Sequence, residues 1–209
     1  MLPPPGPRDE STESTSQPPR IALFGGSFDP PHAGHLAIAR AAVEACGLER
    51  VIFVPCRQSP HKKQATEASG EQRLALLELA TAGLDWAEVS PLELEREGPS
   101  WSWESAEHFA GAHPEAQLFW ILGEDQWGAL ESWAHPEILQ RLVNFIVFPR
   151  EGTQPQPRPG YRADFVTVDH PASSREVRRR LRQSGEASEF LDPEVAHYLE
   201  QNGLYRSDS

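Results

Sequence analysis

The amino-acid sequence predicts an α/β protein with a Rossmann-like doubly wound sheet, mostly parallel, and helices on both of its faces. Short apolar runs typical of buried strands alternate along the chain with amphipathic stretches of helical period. Glycine or proline stands at the ends of several of these segments. The first apolar run leads directly into a glycine-rich loop, and ligands bind at that end of the strands in open parallel sheets.

The predicted strands are short runs of mainly apolar residues. They cover residues 21–24, 51–55, 88–92, 118–122, 144–148 and 165–168. Helices are predicted where the sequence also carries signals at the helix ends. Residues 36–46 precede Gly47, residues 72–82 precede Gly83, and Asp192-Pro193 opens a helix that ends near Asn202-Gly203.

The length of the chain, 209 residues, suits one catalytic domain with a single sizeable core. Residues 1–19 are rich in Pro, Ser, Thr and Glu and are predicted to form a disordered leader. Residues 20–206 are predicted to form the single domain. Within it, residues 152–160 hold prolines together with Gln and Thr, which predicts an irregular surface connection.

The charge of the chain disfavours some classes of partner. Lys and Arg number 19 against 31 Asp and Glu, and the formal net charge of -12 argues against binding to nucleic acid or to an anionic membrane. A small anionic ligand would therefore need local donors. Cys46 and Cys56 form no metal or disulfide pattern and are expected to be buried thiols. No apolar run reaches the roughly 20 residues of a membrane span, so we expect a cytoplasmic protein.

The loop at residues 25–35 is the most informative stretch of the sequence. It reads GGSFDPPHAGH and joins the first predicted strand to the first predicted helix. The glycines at its start allow a ligand to approach the backbone closely, and exposed N–H groups can hold phosphate. His32 and His35 flank Gly34 at the helix start, where two imidazoles can face one anion and stabilise developing phosphoryl charge.

This loop resembles the HxGH signature of the nucleotidyltransferase superfamily. The resemblance implies that ATP binds here through Gly25, Gly26, Ser27, Phe28, His32 and His35. It also implies the reaction, in which an acceptor phosphate attacks the α-phosphorus of ATP in line and pyrophosphate leaves. Mg²⁺ is implied as a cofactor that the ATP phosphates carry, and no protein ligands to a metal are assigned.

A second stretch, near the C-terminus, reads ASSREVRRRL. A serine and a glutamate in it have the spacing of a capping box, which predicts a helix start with N–H groups available to an anion. The stretch resembles the second signature of the superfamily. The resemblance implies that Ser173, Ser174 and Arg178 hold the β- and γ-phosphates of ATP. Arg175 departs from the signature, because a threonine or serine is usual there.

Three further stretches are similar to the bacterial nicotinate-nucleotide adenylyltransferases. Residues 54–62 are similar to a Val-Pro…Pro-Pro-His-Lys loop, which assigns Lys62 as a phosphate contact. Residues 95–105 parallel a pattern Arg-x-Gly-Pro-Ser-Tyr-Thr-x-Asp-Thr, which in the family supplies backbone donors to the nicotinate carboxylate. The resemblance therefore assigns these residues to the acceptor: Ser100, Trp101 and Ser102.

The third of these stretches reads FWILGEDQWGALESW, a strand running into Gly-x-Asp and then a helix predicted to close at Trp133. In the family the Asp contacts the adenosine ribose and the Trp stacks on the pyridine ring, which assigns Gly123 and Asp125 to ATP and Trp133 to the acceptor. Trp127 is a rival for the stacking role. Arg150 lies in a turn similar to the family's Arg-Pro-Gly and is assigned to the acceptor as well.

Together these stretches predict transfer of AMP from ATP to nicotinate ribonucleotide, giving deamido-NAD and pyrophosphate. His35 is assigned to the α-phosphate and the transition state, with His32 and Arg178 on the departing phosphates. Alternatives stay open: nicotinamide ribonucleotide or phosphopantetheine as acceptor, a nucleotide-binding regulator that has lost its chemistry, motivated by Arg175, and a zinc protein built on the two close histidines. The oligomeric state stays undecided.

Overall fold

The apolar runs of the sequence form one six-stranded sheet, in which every recorded pairing is parallel. The computed structural model describes residues 17–60, 64–150, 152–169, 173–184 and 187–206. The strands are β1 (Arg20–Gly26), β2 (Arg50–Pro55), β3 (Ala87–Val89), β4 (Gln117–Gly123), β5 (Val143–Phe148) and β6 (Ala163–Phe165). Their order is β3-β2-β1-β4-β5-β6, which is a doubly wound order and confirms the predicted fold class.

The predicted bounds of the third and sixth strands are wrong. The third strand ends at Val89, because the chain leaves the extended conformation at Pro91, whose φ of -77° and ψ of 2° lead into the helical turn α3. The sixth strand ends at Phe165 rather than continuing, because its partner β5 ends at Phe148. The end of β3 is therefore set by the residues that follow it in the chain, and the end of β6 by the length of its partner strand.

Helices connect the strands and cover the sheet. They are α1 (Ala33–Cys46), α2 (Gly70–Thr81), α3 (Leu92–Glu95), α4 (Ser102–Ala112), α5 (Glu124–Ala129), α6 (Pro136–Leu142), α7 (Ser174–Ser184) and α8 (Pro193–Gln201), with 3-10 turns at Leu130–Ser132 and Ser188–Phe190. Gly47 adopts the left-handed conformation after α1, as its position predicts. Asp192 accepts the backbone N–H of Glu194 and caps α8. In the part of the chain that the structure describes, no helix is both long and apolar enough to cross a bilayer.

Both faces of the sheet are buried, because successive side chains of a strand point to opposite sides. Leu23 and Trp120 belong to the core on the side covered by α4 and α6, whereas Phe24 and Phe119 belong to the core under α1 and α2. This arrangement confirms the prediction of helices on both faces. Cys46 and Cys56 are both buried thiols, as expected. Residues 152–160 contain neither helix nor strand and form the predicted irregular connection.

A third apolar cluster joins α2 to the C-terminal part of the chain. Its buried members include Leu76 of α2, Val177 of α7, Leu199 of α8 and Tyr205. The Tyr205 hydroxyl donates a hydrogen bond of 2.6 Å to Oδ1 of Asp29, in the loop that follows β1. The C-terminal segment therefore supports the loop in which the sequence places the chemistry.

Replacing Tyr205 with phenylalanine is expected to lower the free energy of unfolding by about 1–3 kcal/mol. The change keeps the ring but deletes the hydroxyl that donates to the buried Asp29 carboxylate. Burial and this hydrogen bond raise the pKa of the phenol, so the hydroxyl remains a donor. Urea unfolding measures the loss, with Tyr198→Phe at a half-buried position of α8 as control. Equal stabilities for the two variants would contradict a supporting role for this bond.

Candidate active site

The carboxyl ends of β1 and β4 open into a cavity of about 650 Å³, called here the larger cavity. β1 pairs with β2 on one side and with β4 on the other, so the cavity lies where the strand order reverses. Its wall includes many of the predicted site residues: Gly25, Gly26, Ser27, Phe28, His35, Gly123, Ser174 and Arg178. The two sequence motifs therefore meet at one cavity, although they lie at opposite ends of the chain.

His35 forms part of the cavity wall from the first turn of α1. Its Nδ1 accepts the backbone N–H of His32 at 3.2 Å, which leaves the proton of the neutral ring on Nε2. The rings of His32 and His35 stack, with centroids 3.7 Å apart. His32 is buried and is not part of the wall. The spacing of the two histidines in sequence predicts that both imidazoles face the cavity side by side. This prediction is wrong, because only His35 lies on the wall.

Gly26 is required by packing within the loop, in addition to its place in the wall. A Cβ on this residue would lie 2.9 Å from Cζ of Phe28, a buried side chain whose backbone φ is 46°. The Phe28 ring also meets the His35 ring edge-on, with centroids 4.9 Å apart. The loop thus packs around the ring of Phe28, and this ring supports His35, the histidine predicted to be catalytic.

Asp29 anchors the same loop from inside the protein. It is buried, and its carboxylate accepts the N–H groups of Glu67 and Ala68, each at 3.0 Å, together with the Tyr205 hydroxyl. A buried carboxylate needs such donors, because an uncompensated charge in the interior is costly. These bonds join the loop after β1, the segment before α2 and the C-terminal segment into one frame.

The start of α7 docks on this frame. Ser174 Oγ donates to the carbonyl of Pro30 at 3.0 Å, and Arg178 donates to the carbonyl of Asp29 at 2.5 Å. Arg178 Nε lies 2.9 Å from Oε1 of Glu67, at an angle that makes the contact an ion pair rather than a well-directed hydrogen bond. Ser174 and Arg178 also line the larger cavity, so contacts within the protein fix both side chains at its wall.

Only one of the two hydrogen bonds of the capping box predicted for α7 is recorded. Ser173 Oγ accepts the N–H of Glu176 at 3.2 Å, but the Glu176 carboxylate is bound by Arg179 and Arg180, whose hydrogen bonds lower its pKa to about 2. Ser173 is exposed and caps the helix without lining the larger cavity, whereas Arg175 does line it. At this position a guanidinium therefore stands on the wall where the family signature has a hydroxyl.

Arg73 of α2 fixes the ends of two strands from within the core. Its side chain is buried and donates to the carbonyl of Ser27 at 2.8 Å and to the carbonyl of Cys56 at 2.7 Å. Gly26 accepts the N–H of Cys56 at 2.9 Å, which ties the same two segments together again. The backbone at the junction of β1 and β2 is thus held rigidly where the cavity begins.

A smaller cavity of about 90 Å³ adjoins the larger one. Gly25, Gly26, Ser27 and Gln126 line both cavities, so ligands bound in the two would meet at the end of β1. Predicted acceptor residues line the smaller cavity: Ser100, Ser102 and Trp133. These predicted acceptor residues therefore lie beside a space that is connected to the larger cavity but distinct from it.

The helix after β4 ends earlier than predicted. α5 stops at Ala129, and the 3-10 turn Leu130–Ser132 leads to Trp133, which lines the smaller cavity. Trp127 is buried in the core against Phe145, and its indole N–H donates to the carbonyl of Gln156 at 3.0 Å. Trp127 lines neither cavity, whereas Trp133, which is also buried, lines the smaller one, so the rival interpretation of Trp127 as the stacking ring is wrong.

The start of α4 forms one side of the smaller cavity. The helix begins at Ser102, and the N–H groups of Glu104 and Ser105 already bond to the carbonyl of Trp101. The N–H groups of Ser102 and Trp103 come before the first helical hydrogen bond and suit an anion. Ser100 is buried, and its hydroxyl accepts the N–H of Arg57 at 2.9 Å. Trp101 is half-buried at the position before the helix and is not part of the cavity wall.

Two predicted site residues, Asp125 and Arg150, bind each other and line neither cavity. The Arg150 guanidinium pairs with the exposed carboxylate of Asp125, and neither residue belongs to the wall of the larger or the smaller cavity. The Arg150 N–H also donates to Glu124 at 2.9 Å. The roles of these two residues on ATP and acceptor stay predictions. Lys62 lies outside the described residues.

Sequence reasoning missed three residues that shape the site. Gln126 lines both cavities and directly follows the Gly-x-Asp motif, so its position was a usable signal. Glu93 lines the smaller cavity, and the only signal was an acid between two leucines. Arg73 gave no signal, because a charged residue in an amphipathic helix is ordinarily solvated.

The wall of the larger cavity suits a metal ion that arrives with a ligand. Among the described residues, no group of three or more His, Cys, Asp or Glu side chains is placed to hold a metal ion, which also removes support from the zinc alternative there. Asp29 has its oxygens occupied by N–H and O–H donors, while Arg175 and Arg178 give the wall positive charge. Mg²⁺ bound to phosphate fits this set of groups better than a cage of carboxylates.

Comparisons with known proteins agree with the geometry. Residues 23–180 match the family model described as Cytidylyltransferase-like. A probable nicotinate-nucleotide adenylyltransferase of Methylacidiphilum infernorum is 37% identical over 187 residues, covering 89% of this chain and 92% of that protein. One of the same name from Neisseria meningitidis is 36% identical over 199 residues, covering 89% and 98%. A solved structure, the Plasmodium falciparum nicotinic acid mononucleotide adenylyltransferase complexed with NaAD, matches with a TM-score of 0.70 at 17% identity, covering 90% and 97%, and supports the fold.

Proposed function

The chain belongs to the cytidylyltransferase-like family, among relatives named nicotinate-nucleotide adenylyltransferases, and we propose that it transfers AMP from ATP to nicotinate ribonucleotide. The products are deamido-NAD and pyrophosphate. One observation carries the proposal: the larger and smaller cavities share Gly25, Gly26, Ser27 and Gln126, so two phosphate-bearing ligands can meet at the end of β1.

In this proposal ATP occupies the larger cavity and its triphosphate lies between α1 and α7. The Nε2–H of His35 donates to the α-phosphate, and Arg178 and Ser174 hold the β- and γ-phosphates. His32 orients His35 through its backbone N–H and the ring stack. Arg175 adds a cation to the same wall. Mg²⁺ carried by the phosphates would neutralise part of their charge.

The acceptor occupies the smaller cavity with its pyridine ring against Trp133 and its phosphate toward Ser27. An oxygen of that phosphate attacks the α-phosphorus in line, the new P–O bond forms, and the bond to the bridging oxygen breaks as pyrophosphate leaves. No protein nucleophile is needed, because positioning and charge stabilisation supply the catalysis. The carboxylate of nicotinate would bind at the start of α4, where Ser102 lines the smaller cavity.

Pyrophosphate release from ATP by the purified full-length protein tests the proposal with three acceptors in parallel. Nicotinate ribonucleotide, nicotinamide ribonucleotide and phosphopantetheine each carry the attacking phosphate, so they differ only in the group offered to the smaller cavity. We expect the highest kcat/KM with nicotinate ribonucleotide. Preferential use of phosphopantetheine would overturn the acceptor assignment, and ATP binding without pyrophosphate release with any acceptor would overturn the enzymatic one.

Replacing Trp133 with leucine is expected to raise the KM for nicotinate ribonucleotide about fivefold to tenfold, because ring stacking contributes about 1 kcal/mol beyond area burial. The KM for ATP should stay within about twofold, since Trp133 lines only the smaller of the two cavities described. Steady-state kinetics with each substrate varied in turn measures both values. Trp86→Leu, at a half-buried position that lines neither cavity, is the control. A parallel rise in both KM values would contradict the assignment of Trp133 to the acceptor.

A further inference from the structure

Glu93 is a buried carboxyl group on the wall of the smaller cavity. It lies in α3 with 5% of its surface exposed, and it is the only acidic residue among the described residues that line this cavity. Trp133 and Ser102 line the same cavity. A carboxyl group beside the space assigned to nicotinate affects acceptor binding directly, because nicotinate brings a second carboxylate.

The side chain of Glu93 links both ends of the segment that begins α4. Ser105 Oγ donates to Oε1 of Glu93 at 2.7 Å and accepts from Arg96 at 2.8 Å. Ser100 is hydrogen-bonded to Glu93 on the other side, and its hydroxyl accepts the Arg57 N–H. The carboxyl group is therefore held in one place, between Ser100 before the helix and Ser105 within it.

The charged groups around Glu93 do not neutralise it fully. From α4, Glu104 is paired with Arg96 at 3.2 Å, and Arg96 reaches Glu93 only through the Ser105 hydroxyl. From the end of β2, Arg57 directs its guanidinium to the carbonyl of Arg96, and the Cys56 thiol lines the cavity. Burial raises the pKa of Glu93, while the hydrogen bonds from Ser105 and Ser100 and the charge of Arg96 oppose that rise.

We propose that Glu93 is a positioning residue that sets the choice between acid and amide acceptors, because its neutral form admits a carboxylate at the start of α4 and its ionised form repels one. This inference rests on the proposed function. With Glu93 protonated, its carboxyl group and the N–H groups of Ser102 and Trp103 can all bind nicotinate. With Glu93 ionised, two carboxylates would share one small cavity, and the uncharged amide would be favoured instead.

The sign of the pH dependence follows from linkage. Binding of nicotinate ribonucleotide would hold the proton on Glu93, so its affinity falls as the pH rises above the pKa of Glu93 in the free enzyme. The amide acceptor has no such linkage. The acceptor phosphate and the positively charged pyridine ring are common to both compounds, so their effects cancel in the ratio of the two kcat/KM values.

The experiment compares kcat/KM for nicotinate ribonucleotide with kcat/KM for nicotinamide ribonucleotide between about pH 6 and about pH 9. For the wild-type enzyme we expect the ratio of acid to amide to fall with rising pH, by at most about tenfold per pH unit. Glu93→Gln is a neutral isostere and should give a ratio that does not change with pH. Glu104→Gln removes a neighbouring charge that does not line the cavity and should keep the fall.

A flat ratio in the wild-type enzyme, or a fall that persists in Glu93→Gln, would overturn the inference. If Glu93→Gln does not fold, calorimetric titration of the wild-type enzyme in buffers of different ionisation enthalpy decides the matter. Proton uptake with nicotinate ribonucleotide and none with the amide supports the inference, and equal proton uptake with both overturns it. Failure of the proposed function looks different, because neither pyridine acceptor would then support pyrophosphate release at any pH.

Discussion

Replacing His35 with alanine is expected to lower kcat by about 10²–10³-fold, the usual effect of removing one donor to a developing oxyanion. His35 lines the larger cavity, and its Nδ1 accepts the His32 N–H, so Nε2 carries the proton of the neutral ring and is the nitrogen that we assign to the α-phosphate. The KM for ATP should change less than kcat, because the contact strengthens as charge develops on the phosphoryl oxygens. Single-turnover measurements of AMP transfer check the effect on the chemical step.

The same variant loses the side-chain cap on the His32 N–H, and helix caps contribute about 1 kcal/mol to stability. A small drop in Tm is therefore expected and should be measured beside the rate. His108→Ala, at an exposed position of α4, controls for loss of a histidine elsewhere and should leave kcat unchanged. A His35→Ala enzyme with near-normal kcat would remove His35 from the mechanism.

The fold could be predicted from the sequence because local patterns determine most of it. The side chains of β1 and β4 are buried on both faces, and such strands appear in sequence as apolar runs. The ends of β3 and β6 could not be predicted in the same way. The chain turns into α3 at Pro91, which ends β3. The end of β5 at Phe148 stops β6, so this second limit depends on a partner distant in sequence.

In the candidate site, too, residues in contiguous motifs could be predicted, whereas contacts between distant segments could not. His35 and Arg178 belong to contiguous motifs, and the structure brings them to one cavity as the resemblance implied. The support behind them was not predictable, because the bond from Tyr205 to Asp29 and the pair of Glu67 with Arg178 join segments that carry no mutual signal in sequence. Long-range polar contacts of this kind depend on the packed structure.

The direction of each side chain could not be predicted from the sequence either. A motif fixes the spacing of residues along the chain but not the rotamer that each adopts. His32 stacks behind His35 instead of sharing the wall with it, and Asp125 pairs with Arg150 outside both cavities. Of the two tryptophans proposed for stacking, only Trp133 lines the smaller cavity.

Replacing Arg178 with methionine is expected to lower kcat/KM for ATP by about 10²-fold or more, the usual result of truncating a largely desolvated charge at a binding site. The guanidinium is 23% exposed, lines the larger cavity and is fixed by the Asp29 carbonyl and Glu67. Arg178→Lys keeps the charge but not the planar set of donors, so it should recover only part of the loss. Arg179→Met is the matched control, because that neighbour on α7 is exposed and bound to Glu176.

A competing explanation for such a loss is that Arg178 serves only to neutralise Glu67, whose carboxylate would otherwise repel phosphate. The variant Arg178→Met combined with Glu67→Gln separates the two cases, since it removes both members of the 2.9 Å ion pair. If Arg178 binds the triphosphate, the double variant should remain within about threefold of Arg178→Met, because the phosphate contact is still missing. Recovery of most of the wild-type kcat/KM would assign Arg178 to charge compensation and leave the phosphates to Ser174, Arg175 and the helix start.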